Sequence, residues 1–309
     1  MTIQPAIRLL RSIAIIAPMI FTAAADQAAP PDKPLLWKIE GHSVEKPSWL
    51  FGTIHLTTPR IEKLHPAVEQ ALETSDTLAT ELSFDPMKQM AGAMLMMRGD
   101  GSTLTESIGA DLQAKLEERI QAINPALGAA VFEPMKTWAV AMAVVMLPYQ
   151  LEGGKALDQI LWQRATDAGK ETLGLERMKD QVAAFEVLDE EEQTIYLRAT
   201  LENFDDNDRL LKEMIAEYEA GDAEAIDRIT TQSIERFAGG EREKAIGDKL
   251  LKSLITDRDR TMAESIDAML REDPAKSRFI AVGAGHLVAE NSIRKHLEDK
   301  GWKISRINE

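Results

Sequence analysis

The chain contains no cysteine among its 309 residues, and only five histidines and three tyrosines. The absence of cysteine excludes disulfide bonds, iron–sulfur clusters, zinc sites with thiolate ligands and a cysteine nucleophile. The sequence also lacks H-E-x-x-H, G-x-S-x-G and P-loop motifs, which argues against a zincin, a serine hydrolase with a nucleophile elbow and a nucleotide-binding protein. A catalytic or metal site in this chain would have to use other groups, such as imidazole and carboxylate.

The composition is that of an acidic globular protein. Hydrophobic residues make up 44% of the chain, which is enough for a core and excludes global disorder. Acidic residues outnumber basic residues by 51 to 36, so the net charge is −15 at pH 7. Because nucleic-acid-binding proteins normally carry a basic surface, this charge argues against a nucleic-acid partner.

The first 25 residues have the pattern of a secretory signal peptide. Arg8 and Arg11 precede an apolar run from Ser12 to Phe21, and small residues follow up to Ala25. We expect cleavage near Ala25, because a run of about ten apolar residues is too short to span a bilayer. The proline- and alanine-rich residues 26–34 predict a disordered leader. The sequence therefore predicts a periplasmic or secreted protein with no membrane span after cleavage.

Six short segments have the composition of β-strands, and long helical patterns separate them. The segments are residues 35–40, 48–56, 77–83, 172–176, 278–282 and 302–307. The first two are expected to form a hairpin. Because neither end of the chain alone has enough strands for a stable sheet, the N- and C-terminal strands should meet in one. We expect a single α/β domain over residues 35–309, with a central mixed sheet and large helical insertions.

Two of the five histidines follow glycine in the same local pattern. Gly52-Thr-Ile-His55 and Gly283-Ala-Gly-His286 each come directly after a segment that reads as a buried strand. Ligands of open α/β sheets bind at the carboxyl ends of strands, and glycine permits close approach of the backbone there. The two histidines would converge if their strands are neighbours. A single histidine after a strand is, however, more often a hydrogen-bonded structural residue.

Two carboxylates stand at the ends of predicted strands. Glu81 lies in the segment 77–83 among apolar residues, and Glu176 ends the segment 172–176. A carboxylate in apolar surroundings should be paired, protonated or bound to a metal. The alternative is that both face solvent. Arg258 lies in the charged run Thr256-Asp-Arg-Asp-Arg260, whose pattern favours a solvated helix surface with local ion pairs.

Methionines recur at helical spacing in residues 87–97. Met87, Met90, Met94 and Met97 are three or four residues apart, and Met96 lies beside them. Such a stripe is most often part of a core, and a Cu(I) site is a further alternative. The functional interpretation is a flexible helix near the mouth of the site that contacts substrate, because methionine adapts to varied apolar partners.

The chain resembles the TraB/GumN family along nearly its whole length after the leader. The resemblance is carried by Leu36-Trp-Lys-Ile39, by Leu50-Phe-Gly-Thr-Ile-His-Leu56 and by Val282-Gly-Ala-Gly-His-Leu-Val288. The middle of the chain is similar as well, at Pro134 to Trp138, at Leu157-Asp158 before Gly169-Lys170, and at Glu176 followed by Gln181 and Phe185.

This resemblance implies a fold similar to erythromycin esterase and ChaN, with a pocket built from both G-x-x-H motifs. The family includes the TIKI metalloproteases. Gly52, Gly283 and Gly285 match the motif glycines, and His55 and His286 match the motif histidines. Glu81 resembles the family's acidic residue. Arg258 resembles its arginine, although relatives usually have asparagine where this chain has Asp259.

With the resemblance, the residues predict an exported metal-dependent hydrolase, a TIKI-like peptidase acting on a peptide or protein. His55, Glu81 and His286 would hold Mn²⁺, Fe²⁺, Co²⁺ or Zn²⁺ and activate water. Arg258 would stabilise developing oxyanion charge. Glu176 or Glu290 would be a further ligand or the general base. A helix after His286 would place Glu290 on the same face.

Two other functions remain open from the sequence. One is a metal-independent hydrolase, in which His55 or His286 is a general base and Glu81 and Arg258 orient water. The other is a non-enzymatic protein that binds haem, a metal or a partner. The same residue types serve each function, and the sequence does not indicate the oligomeric state.

Overall fold

A computed structural model describes residues 29–42, 44–235 and 240–308. The expected signal peptide, residues 1–25, lies outside the described residues. Six strands form one sheet: β1 (Leu36–Glu40), β2 (Ser48–Thr53), β3 (Thr77–Thr80), β4 (Glu171–Gly174), β5 (Arg278–Gly283) and β6 (Lys303–Arg306). Their order across the sheet is β4-β3-β5-β2-β1-β6. The prediction of an α/β fold with a mixed central sheet is confirmed.

The strand pairing joins the two ends of the chain. β1 pairs antiparallel with both β2 and β6, and the first of these pairs is the expected hairpin. β2, β5, β3 and β4 are parallel to one another. The register sets Thr53 beside Gly283 and Thr80 beside Gly174. The carboxyl ends of four parallel strands therefore meet at one edge of the sheet.

Helices fill the intervals between the strands. They are α1 (Pro66–Thr74), α2 (Pro86–Leu95), α3 (Leu104–Ile123), α4 (Thr137–Leu151), α5 (Leu157–Asp167), α6 (Met178–Phe185), α7 (Glu190–Glu202), α8 (Phe204–Ala220), α9 (Ala223–Glu235), α10 (Glu241–Leu251), α11 (Asp257–Glu272), α12 (Gly285–Val288) and α13 (Ile293–Asp299). A π-helical turn, Lys252–Thr256, joins α10 to α11. No helix in the described ranges is long and apolar enough to cross a membrane.

The sheet is covered on both faces and carries the main core. All six residues of β5 are buried, and Leu78 and Ala79 of β3 have no exposed surface. This burial explains why β5 and the middle of β2 are short apolar runs. A second apolar cluster lies among the inserted helices, where Leu112, Leu116 and Ile120 of α3 pack with α4 and α7.

The segment before β1 is attached to the rest of the protein. The guanidinium of Arg60 donates to the carbonyls of Ala29 and Pro30 and to Asp32. The amide of Asp32 donates to the carbonyl of Glu219. Polar groups of residues 29–34 thus find partners on α8 and in the loop before α1, and the disordered leader expected over residues 26–34 stays a prediction. Residues 26–28 lie outside the described residues.

Candidate functional site

Two imidazole rings face one carboxylate at the carboxyl edge of the sheet. Nε2 of His55 lies 3.7 Å from Oε1 of Glu81, and Nε2 of His286 lies 3.8 Å from the same oxygen. His55 follows β2, Glu81 follows β3, and His286 is in α12 directly after β5. Because β5 lies between β2 and β3, the three residues are neighbours despite their separation in the sequence.

The Nδ1 atom of each histidine is held by a carboxylate of its own. Nδ1 of His55 is 3.1 Å from Oδ2 of Asp158, and Nδ1 of His286 is 2.6 Å from Oδ1 of Asp259. Asp158 is fixed in turn by the hydroxyl of Thr53, which donates to its Oδ1 over 2.8 Å. Since a carboxylate accepts, the Nδ1 atoms carry hydrogens, and the Nε2 atoms point toward Glu81. Histidines that bind metals are oriented by outer carboxylates in this way.

Glu81 is the buried centre of the cluster. Its Oε1 accepts the backbone N–H of Gly283 over 2.6 Å, and its Oε2 accepts from Arg258 over 2.6 Å and from Gln181 over 3.2 Å. Burial alone would raise the pKa of Glu81. The charges of His286, His55 and Arg258 outweigh it and, with the Gly283 hydrogen bond, lower the pKa far below its usual range. The carboxylate is therefore ionised.

Arg258 joins Glu81 to Glu176. Its Nε donates to Glu176 Oε2 over 3.0 Å, and its remaining terminal nitrogen donates to the carbonyl of Leu254 over 3.0 Å. The π-helical turn just before α11 brings this carbonyl into reach, and such turns are frequent at functional sites. Burial would lower the pKa of Arg258, but Glu81 and Glu176 raise it. Arg258 is thus a permanent cation with every nitrogen in use.

The motif glycines allow close packing around these side chains. A Cβ at Gly283 would lie 3.0 Å from Nε2 of His55 and 3.1 Å from Oε1 of Glu81. A Cβ at Gly52 would lie 3.2 Å from Cα of Ala284. Gly285 has more room, since its Cβ would be 3.4 Å from Thr230. Gly283 therefore lies against Nε2 of His55 and Oε1 of Glu81, whereas Gly52 brings the two motif strands together.

His55 is the accessible member of the cluster. Its side chain is 57% exposed, whereas those of His286 and Glu81 are 5% and 8% exposed. Desolvation lowers the pKa of His55, but the neighbouring charges of Asp158 and Glu81 outweigh this effect and raise the pKa to about 9. A substrate would reach the cluster from the side of His55.

The donor atoms fit a divalent metal by type, and their spacing is slightly wider than one ion requires. Two Nε2 atoms and one carboxylate oxygen form a 2-His-1-carboxylate set. Ligands about 2.1 Å from one ion lie roughly 3.0–3.5 Å apart, and each Nε2 atom lies farther than this from Oε1 of Glu81, at 3.7 and 3.8 Å. Among the described residues, no group of three or more histidine and acidic side chains is already arranged to hold a metal ion.

The other two acidic candidates lie in different surroundings. Glu176 is 3% exposed and bound to Arg258, which separates it from the histidines. Glu290 is exposed, because α12 ends at Val288 and the following Ala289 is extended. The helix expected to place Glu290 on the face of His286 is thus too short.

Sequence patterns did not assign roles to Asp158, Asp259 or Gln181. Asp158 and Gln181 fall in segments that carried the family resemblance, and Asp259 is next to Arg258. In the sequence, these neighbouring residues were the signals that could have pointed to the three side chains. Their contacts depend on how α5, α6 and α11 cross the edge of the sheet.

Comparison with known proteins identifies the family. The family model described as TraB/PrgY/gumN matches residues 35–306, which include every side chain of the cluster. The chain belongs to the TraB/PrgY/gumN family. The resemblance seen in the sequence is therefore confirmed, and the two G-x-x-H segments that carried it are the ones that meet at Glu81.

Several curated animal proteins are similar to the chain in sequence. The chain is 24% identical to Metalloprotease TIKI2 of Danio rerio, over 87% of this chain and 60% of the relative. It is 22% identical to Metalloprotease TIKI1 of Danio rerio and 21% identical to Metalloprotease TIKI1 of Homo sapiens, covering 62% and 61% of those proteins. The chain thus spans about 60% of the length of these relatives. No solved structure matches it.

Proposed function

We propose that this protein is an exported metal-dependent hydrolase that cleaves peptide bonds in a peptide or protein substrate. The observation that carries the proposal is the pair of Nε2 atoms that face one ionised Glu81 oxygen, each ring held through Nδ1 by a carboxylate. The similarity to proteins named metalloproteases supports it. The family match over residues 35–306 supports a single domain over residues 35–309.

In this proposal His55, His286 and Glu81 hold the metal, for which Mn²⁺, Fe²⁺, Co²⁺ and Zn²⁺ all suit the donor set. A divalent ion supplies Lewis acidity for a scissile carbonyl and lowers the pKa of water. Asp158 and Asp259 keep the hydrogen on Nδ1 of each ring, so that the Nε2 lone pair is available for the ion. His55, the exposed member, faces the approaching substrate.

Arg258 serves a positioning role in this mechanism. All three of its nitrogens donate, to Glu81, to Glu176 and to the Leu254 carbonyl, and two of these three partners are buried carboxylates. Arg258 instead keeps Glu81 ionised and in place, and Glu176 holds Arg258. The oxyanion role expected for Arg258 would have to use the second N–H of the nitrogen that donates to Leu254.

The decisive experiment is metal analysis of protein purified without chelator or a histidine tag. We expect Mn, Fe, Co or Zn in stoichiometric amount, lost in both His55→Ala and His286→Ala and kept in the matched control His42→Ala, whose histidine lies near Trp302. A peptide-library digest should then be stopped by chelator and restored by the same metal. Absence of metal after back-titration with each ion would refute the proposal.

One observation favours a second candidate, a metal-independent hydrolase. Both oxygens of Glu81 already accept hydrogen bonds, from Gly283 and from Arg258. The exposed His55 also has Asp158 behind it, as a general base has in a histidine–carboxylate pair. Hydrolysis that survives exhaustive chelation but is lost in His55→Ala would establish this candidate in place of the metal enzyme.

A further inference from the structure

An unusually exposed apolar helix begins beside the candidate site. Met87, Met90 and Met94 of α2 are 75%, 62% and 68% exposed, and Leu95 is also exposed. These four account for more than half of the large hydrophobic side chains that are exposed in the described part of the chain. We call Met87, Met90 and Met94 the methionine stripe. Their spacing places them on one face of the helix.

The stripe is connected to the site through the backbone and through packing. Glu81 follows β3 and lies only five residues before Pro86, the first residue of α2. On the other face, Gly92 lies against Met178 of α6, where a Cβ would be 2.5 Å from Cγ of Met178. Gln181 of the same short helix donates to Glu81. The stripe is thus linked to Glu81 in two ways, through the short chain segment between them and through α6.

The first turn of the helix is held by side-chain hydrogen bonds, none of which involves a methionine side chain. The carboxylate of Asp85 accepts the backbone N–H groups of Met87 and Lys88. The amide of Gln89 donates to the carbonyl of Ser83 over 2.6 Å. A fixed backbone with flexible thioethers is suited to a surface that accepts different apolar side chains.

We propose that the methionine stripe binds an extended apolar segment of the polypeptide substrate, outside the residues that enter the site. This inference rests on the proposed function for its substrate class. Met87 and Met94 are separated by about 10 Å along the helix, which is about the length of three residues of an extended peptide. The stripe would therefore select substrates with apolar residues on one side of the scissile bond.

The size and charge of the stripe favour this occupant over two others. A helix face about 15 Å long and about 10 Å wide is far smaller than the roughly 800 Å² that each partner buries in a standard interface, so a second copy is disfavoured. Helices that lie in membrane surfaces carry several basic residues. Lys88 is the one charged residue of α2, and the whole chain has a net charge of −15.

The test measures peptide binding separately from cleavage. The protein, produced from its full sequence in a His286→Ala background, is titrated against a fluorescent peptide with alternating Leu and Phe, and against the same peptide with Ser and Gln instead. We expect the triple variant Met87→Gln, Met90→Gln, Met94→Gln to bind the apolar peptide about tenfold more weakly or worse. The matched control Met142→Gln, at a methionine that is 40% exposed on α4, should bind like its parent.

Further measurements separate the occupants and the two proposals. Equal binding by the triple variant, or equal binding of both peptides, overturns the inference. The inference is also overturned if the wild-type protein forms a dimer and the triple variant does not. The same holds if the wild-type protein binds phosphatidylcholine vesicles and the triple variant does not. If the stripe binds the apolar peptide but the protein shows no metal-dependent cleavage, the proposed function is refuted and the role of the stripe is not. If the triple variant cleaves apolar substrates with an unchanged KM, the role of the stripe is refuted and the proposed function is not. Unchanged thermal unfolding of the triple variant confirms its fold.

Discussion

Asp259 and Arg258 are adjacent in the sequence but hold different members of the cluster. Asp259 accepts the Nδ1 hydrogen of His286 over 2.6 Å, and Arg258 donates to Glu81 over 2.6 Å. Both side chains are buried where α11 leaves the π-helical turn. Burial raises the pKa of Asp259, and the hydrogen bond to His286 opposes part of that rise. One turn of chain thus fixes the orientation of a histidine and the charge of a carboxylate.

Removing the acceptor from His286 should weaken metal binding without removing a ligand. We expect Asp259→Ala to lower metal affinity by about 10- to 100-fold, because the ring loses its fixed tautomer and orientation. The metal affinity of Asp259→Asn should fall between those of the wild-type protein and Asp259→Ala, since the amide oxygen of asparagine still accepts from Nδ1. Chelator competition measures the affinities. The control Asp257→Ala removes a neighbouring carboxylate that pairs with Lys252 and should have no effect. Equal affinities for Asp259→Ala and Asp257→Ala would contradict the assignment.

Removing Arg258 should destabilise the metal-free protein. Arg258→Ala removes the cation that pairs with both Glu81 and Glu176, and breaking a buried ion pair typically costs about 3–5 kcal/mol of unfolding free energy. Arg260→Ala is the matched control, because Arg260 is 63% exposed, and should change stability by less than about 0.5 kcal/mol. Urea denaturation at neutral pH gives both values. Similar denaturation midpoints for the two variants would show that the buried cluster does not depend on Arg258.

Metal binding should release a proton from His55. The carboxylates of Asp158 and Glu81 raise the pKa of His55 from 6.5 to about 9 in the metal-free protein. A raised folded-state pKa stabilises that protein below pH 6.5, and the contribution disappears as the pH rises through about 9. Metal affinity should therefore increase with pH up to about 9, by about tenfold per pH unit for one proton, and level off above that value. Competition titrations across this range test the slope, with His42→Ala as the control. A flat profile would contradict proton competition at His55.

A methyl group at Gly283 should disturb the site more than the fold. In Gly283→Ala the Cβ would be 3.0 Å from Nε2 of His55 and 3.1 Å from Oε1 of Glu81, so both groups must move. We expect loss of metal binding and hydrolysis while the far-ultraviolet circular dichroism spectrum is retained. Gly99→Ala is the control, because a Cβ there meets no atom within 4 Å. A Gly283→Ala protein with normal metal content would mean that the two ligands are not held as tightly as the packing indicates.

Much of the fold could be predicted from the sequence, because its strands are apolar runs bounded by turns. All six strands occur where they were expected, and the hairpin of β1 and β2 is confirmed. The segment expected to continue to Leu56 leaves the sheet after Thr53, since the backbone turns there to present His55. The order of the strands could not be read from local pattern, because it depends on contacts between the two ends of the chain.

The site could be predicted in part for the same reason. Glycine and histidine after a strand are local signals, and they drew attention to His55 and His286. Asp158 and Asp259 are defined by the crossing of helices over the sheet edge, which leaves no local pattern. The charged run around Arg258 looked like a solvated surface. In the structure its two central residues turn inward, while Asp257 and Arg260 remain in solvent.

β5 lies in the middle of the sheet, between β3 and β2, although it is made near the end of the chain. The first two motif elements, at His55 and Glu81, therefore have no common neighbour until residues 278–283 emerge from the ribosome. Contacts over such sequence distances form late and slow folding. A chain cut short before β5 would leave the edges of two parallel strands open to pairing with other molecules. Completion of synthesis, sheet closure and assembly of the cluster thus become a single event.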